Sequence, residues 1–238
     1  MIAPHPASPS PRRRTIEVYL EVGSTRTFAG AMDWPGWCRS GKGEGAALAA
    51  LFDYGPRYAR ALKGTKLGFS IPPDGTGLVV VSRLKGNTTT DFGAPDASPS
   101  ADKRPVTAQD LKRFQDLLKA CWRTFDASVK AAKGKVLTLG PRGGGRDLQR
   151  IVDHVVEAEA AYLRGLGVAF KMGEGPPAAD MRALRVAIFE GLASSARGEI
   201  PAKGPRGGVR WTPRFFVRRA AWHVLDHAWE IEDRAKGT

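Results

Sequence analysis

The sequence predicts an α+β protein, a small ββαββ N-terminal domain followed by a four-helix bundle. Short β-prone runs around one alanine-rich helical stretch fill the first third of the chain, and four amphipathic stretches with helix caps fill its second half. Between them, residues 86–105 are rich in Thr, Asp, Ser, Pro and Gly and read as a linker. The expected organisation is a disordered tail over 1–14, an α+β domain over 15–85, the linker, and the bundle over 106–238.

Residues 15–22 (TIEVYLEV) and 25–32 (TRTFAGAM) are β-prone and separated by Gly23-Ser24, a hairpin signal. A loop over 33–43 leads into a helix over 44–62, where Ala, Leu and Tyr recur at helical spacing. The runs 65–71 and 77–84 flank the turn Pro72-Pro73-Asp74-Gly75 and read as strands. After the linker, Thr107 and Asp110 form a capping box ahead of a helix whose core face is Leu111, Phe114, Leu118, Cys121 and Phe125. Asp147 caps the second helix, with a stripe of Leu148, Ile151, Val152, Val155, Tyr162 and Leu166, and Gly167 stops it. Pro177 opens the third, with Met181, Leu184 and Ile188 inward, and Thr212-Pro213 opens the fourth. None of these helices can bury its stripe alone, so they must pack on one another.

Composition narrows the function. The 238 residues carry 37 Lys and Arg against 24 Asp and Glu, a formal charge of +13, with 42% hydrophobic and 26% charged residues. That is a soluble globular balance, and no stretch approaches the ~18 apolar residues of a membrane span. The first fourteen residues end in three arginines with no apolar run behind them, so no secretory signal is expected and the protein should be cytoplasmic. Two cysteines, Cys38 and Cys121, exclude a disulfide framework and an all-thiolate zinc site. Cys38, beside Arg39, reads as a small buried residue. Most of the basic excess falls in the helical half without an alternating basic and aromatic stripe, which disfavours nucleic acid and favours a small anionic substrate.

The chemistry concentrates in the histidines. Three of the four are His154 on the second helix and His223 and His227 on the fourth. An i, i+4 spacing sets the latter two about 40° apart on one helix face. A third imidazole from a neighbouring helix would complete a three-nitrogen site for a divalent metal with an open position for water or substrate. Glu157, Asp226 and Glu230 are close enough in helical spacing to orient an imidazole or act as general base. Ala158, Ala161 and Gly165 beside His154 suggest a groove for substrate.

Two loops repeat a pattern, Arg142 to Arg146 before the second helix and Arg206 to Arg210 before the fourth. If both helices present their N-termini to one end of the bundle, Arg142, Arg146, Arg206 and Arg210 would bind a substrate carboxylate or phosphate there. Trp222 and Trp229, one heptad apart, should pack on the N-terminal domain or on a second copy of the chain in a homodimer. Three apparent motifs are decoys. The run from Gly36 to Gly43 lacks the magnesium-binding hydroxyl of a phosphate loop, Asp91-Phe92-Gly93 lacks the companion kinase motifs, and Asn87-Thr88-Thr89 is a sequon without a secretory route.

With one histidine in DHVVEAEAAYLRGLG and a pair in RRAAWHVLDHAWEIEDR, the helical half resembles the DinB-like superfamily of metalloenzymes. That resemblance implies His154, His223 and His227 as ligands of a divalent metal, zinc or nickel. It also implies a low-molecular-weight thiol as co-substrate, in thiol-assisted transfer or isomerisation, or hydrolysis. Residues 15–84, with PGWCRSGKGEGAALAAL, resemble the HicB-like antitoxin domain, with Gly45-Ala46 where that family has Glu-Ala. It implies the alternative of a non-enzymatic binding or regulatory protein with the bundle as scaffold.

Overall fold

A computed structural model describes residues 15–139 and 145–235, and the tail expected over 1–14 lies outside them. The described chain is mixed α and β, with a four-stranded sheet near the N-terminus and seven α-helices. Strand β1 (Ile16–Val22) turns into β2 (Thr27–Ala31) as an antiparallel hairpin with Val22 opposite Thr27. The Gly23 N–H donates to the Arg26 carbonyl at 2.9 Å and closes the turn where Gly23-Ser24 predicted one.

The strand order departs from the expected ββαββ. Part of the segment read as a loop forms strand β3 (Cys38–Gly41), antiparallel to β2, and the helical stretch divides into α1 (Glu44–Asp53) and α2 (Gly55–Ala61). Residues 65–71 form no strand, whereas β4 (Leu78–Lys85) runs parallel to β1 and completes the order β3-β2-β1-β4. Gly68 inside that run has φ of +72°, which breaks an extended backbone. Its Phe69 is drawn instead into a ring cluster with Trp34, Trp37 and Tyr58, at centroid distances of 4.8, 5.1 and 4.9 Å.

Residues 86–105 carry more structure than their composition suggests. Asn87 caps the short helix α3 (Thr88–Phe92), and a 3-10 turn follows at Ser100–Lys103. Glu21, buried on β1, accepts hydrogen bonds from the Asp96 and Ala97 backbone and from the Thr90 hydroxyl. Asp91 accepts from the Ser24 and Thr25 backbone, which ties the segment to the hairpin tip.

Four long helices follow, α4 (Ala108–Ala132), α5 (Leu148–Leu166), α6 (Met181–Ala196) and α7 (Pro213–Arg234). The caps are those the sequence indicated: Thr107, Asp147 and Thr212 each accept a hydrogen bond from the backbone N–H three residues on, and Gly167 ends α5 at φ +107°. Helix α7 packs on α4 and α5 and is buried on nearly every side, because the sheet reaches it through the ring contact of Phe28 with Trp222. One buried cluster runs from Val18 and Leu20 through Leu118 and Leu163 to Val224 and Ile231. No described helix is long and apolar enough to cross a membrane.

Candidate metal centre

Helices α5 and α7 lie antiparallel. The Trp211 N–H, just before α7, donates to the Gly165 carbonyl near the end of α5, while Arg234 Nη2 at the far end of α7 donates to the Arg146 carbonyl just before α5. His154, His223 and His227 meet between these ends, and one ligand atom from each lies within 4.8 Å of the others. His154 Nε2 and His223 Nε2 are 3.2 Å apart. Two nitrogens on one tetrahedral ion, with bonds of 2.0–2.1 Å, stand about 3.3 Å apart, so the pair has the spacing that an ion between them requires.

Burial sets the protonation of these rings. Loss of solvent, helped by His227 and Arg146, brings His154 down to about 4, and the same causes hold His223 well below the ordinary imidazole range. Both rings are neutral near pH 7, so a metal meets lone pairs rather than protons. His223 Nδ1 is buried with no hydrogen-bond partner among the described residues. Three converging imidazoles, mostly enclosed, fit a divalent ion of borderline softness.

Of the three predicted carboxylates, Glu230 reaches the histidines. Its Oε2 lies 2.8 Å from His227 Nδ1, which leaves His227 Nε2 as the free nitrogen, and its Oε1 accepts from Arg234 Nη1 at 2.6 Å. Burial pushes the Glu230 carboxyl up, but His227 and Arg234 together hold it below the usual carboxylate value. Asp226 is instead committed to an ion pair with Arg39 at 2.6 Å. Glu157 is exposed and makes no hydrogen bond among the described residues, because position 157 turns away from α7.

Arg146 and the Arg206–Arg210 turn do not converge. Arg142 lies outside the described residues. Arg146 is exposed but near enough to depress His154 and His223, whereas Arg206 and Arg210 belong to a turn bridged by Lys203 and Val209 at the other end of the helix pair. Antiparallel packing is the reason, since it puts the two helix N-termini at opposite ends. Arg210 Nη1 donates to the Pro201 carbonyl within its own turn. The groove expected along Ala158, Ala161 and Gly165 is filled at Gly165 by the Trp211 indole, which a Cβ there would meet at 3.0 Å.

Several neighbours escaped the sequence reading. Arg219, one turn before His223, lies over the Trp222 and Tyr162 rings, and the Tyr162 ring is 5.5 Å from that of His223. Helical spacing held the signal for Arg219 and Arg234, four residues before His223 and four after Glu230. Arg39 had none, because it belongs to β3, which was read as loop. Trp222 and Trp229 pack as expected on the N-terminal part of the chain, against Phe28 and Tyr54. The Cys38 thiol, fully enclosed, is pushed up to about 12 and is no nucleophile at neutral pH. In comparisons with known proteins, no family model matches the chain, and no curated protein or solved structure is detectably similar to it.

Proposed function

We propose that the helical half is a DinB-like four-helix bundle that holds one divalent ion, zinc or nickel, on His154, His223 and His227. The protein is then a metal-dependent enzyme that acts on a small anionic substrate by thiol-assisted transfer, isomerisation or hydrolysis. The observation that carries this reading is the convergence of three ring nitrogens within 4.8 Å from two helices. A divalent ion supplies Lewis acidity at such a site and makes a bound water or thiol a nucleophile near neutral pH. Glu230 fixes the His227 ring, and Arg234 in turn fixes Glu230. Three side-chain ligands leave room for a fourth, exchangeable one. Arg146, beside the rings, adds the positive potential that draws an anion.

Elemental analysis of the purified protein tests the reading. One divalent ion per chain is expected, lost in His223→Ala. A protein that holds no ion after incubation with zinc and with nickel, or a variant that keeps it, overturns the assignment.

A further inference from the structure

A cleft of about 540 Å³ separates the sheet from α7 beside the β3 edge. Phe28 and Ser40, direct register partners on one face of the sheet, form one wall with Arg26. On the α7 side Trp222, whose ring meets that of Phe28 at the floor, and Trp229 form the other wall together with His227 and Glu230, so a ligand seated there lies beside the histidines.

Of the arginines that line this cleft, all but one pair with a carboxylate. Arg39 is paired with Asp226 and stacked 3.9 Å above the Tyr54 ring, Arg234 with Glu230, and Asp233 shares Arg57 with Glu232, at 2.8 and 2.7 Å. Arg26 is half-buried, and its guanidinium donates to the Ser40 hydroxyl at 3.1 Å with no carboxylate partner among the described residues. A monoanion gives Arg26 the one counter-charge it lacks, whereas a dianionic phosphate brings a second charge that no unpaired arginine of the lining is left to meet. A guanidinium fork next to a hydroxyl suits the planar, two-oxygen face of a carboxylate. The nearly buried rings of Phe28, Trp222 and Trp229 and the half-buried Tyr54 give the cleft an aromatic floor for an aromatic body behind it.

We propose that this cleft binds an aromatic monocarboxylate, with Arg26 and Ser40 taking the carboxylate and the tryptophan wall taking the ring. The inference deepens the enzymatic reading and rests on it for the reaction, but not for the binding. It also gives the sheet a part in choosing the substrate, since Phe28 and Ser40 lie on its strands and Arg26 in the turn that enters β2.

Trp222 and Trp229 report occupancy by their fluorescence, so the full-length protein is titrated with benzoate, benzamide and phenyl phosphate. Benzoate should saturate, with benzamide and phenyl phosphate about tenfold weaker or more. Arg26→Gln should weaken benzoate about tenfold and leave benzamide unchanged. Ser40→Ala, which removes a smaller group, should weaken benzoate selectively and covers the case in which Arg26→Gln does not fold. Equal binding of benzoate and benzamide, tighter phenyl phosphate, or benzoate affinity unchanged in a folded variant overturns the proposal. Metal analysis of the wild type beside this titration separates the two readings, and His223→Ala, which is not in the cleft lining, should still bind benzoate. Benzoate binding without any metal supports the cleft and removes the metal centre, and metal without benzoate binding does the reverse.

Discussion

His154 Nε2 and His223 Nε2 face each other at 3.2 Å from two antiparallel helices, with no backbone or carboxylate oxygen between them in the hydrogen-bond network of the described residues. Two neutral imidazoles at that distance share either a proton or an ion. If an ion, binding to the folded state alone must stabilise it by mass action, about 2.7 kcal/mol at a hundredfold excess over Kd. Thermal melts in zinc and in nickel should therefore show a Tm that rises with metal concentration in the wild type and stays flat in His154→Ala. A flat Tm in both proteins counts against the centre.

Glu230 joins His227 to Arg234, and this chain of three groups should govern affinity rather than fold. Glu230→Gln keeps the size and one acceptor but removes the charge that orients the ring. Metal affinity is expected to fall about 10- to 100-fold, as for other carboxylates behind ligating histidines. Competition with a chelator of known affinity reads this directly. An unchanged affinity would mean that His227 is held by packing alone.

How much of this the amino-acid order disclosed depends on the range of the interaction. The caps at Thr107, Asp147 and Thr212 were legible because each is a contact within three residues of itself, and so was the i, i+4 pair of His223 and His227. The meeting of His154 with that pair required only that α5 and α7 be neighbours. Which way the two helices run was not legible, since it is settled by the contact of Trp211 with Gly165, and so the condition on which the arginine loops would share one end stayed open, where Arg146 and the Arg206–Arg210 turn lie at two. Strand β3 was hidden for a related reason. Its residues Arg39, Ser40 and Gly41 have little β-propensity, and the strand exists because β2 offers an edge to pair with.

The segment 86–105 gives a test of that longer-range order. Asp102, 2% exposed, accepts two hydrogen bonds from Arg218 of α7, at 3.0 and 2.7 Å, and Arg218 also donates to the Ala31 and Met32 carbonyls. Burial works against the charge on Arg218, and Asp102 outweighs it. Asp102→Ala strands that cation and should cost about 3–5 kcal/mol, whereas replacing both members by apolar residues, Asp102→Leu with Arg218→Met, should recover most of the loss. Urea denaturation midpoints measure both. A single variant within about 1 kcal/mol of wild type would show the segment to be dispensable to the fold.

Glu159 offers a test by pH. It is 1% exposed on α5, accepts a hydrogen bond from Trp122 Nε1 at 2.6 Å, and is raised by burial to about 7 despite that bond. A carboxyl that binds its proton more tightly when folded than when unfolded, where its value is about 4.3, favours the native state at low pH. That contribution is complete below about pH 4, falls by about 1.4 kcal/mol per pH unit between the two values, and is gone above about pH 7, a total near 4 kcal/mol. Glutamine has the shape of the protonated acid and can accept the same bond from Trp122. Glu159→Gln should therefore match the wild type at pH 5 within about 1 kcal/mol and exceed it at pH 8 by about 4 kcal/mol, read from urea midpoints. Parallel pH profiles for the two proteins would mean that Glu159 ionises in place at no cost, with Arg185 supplying the compensating charge.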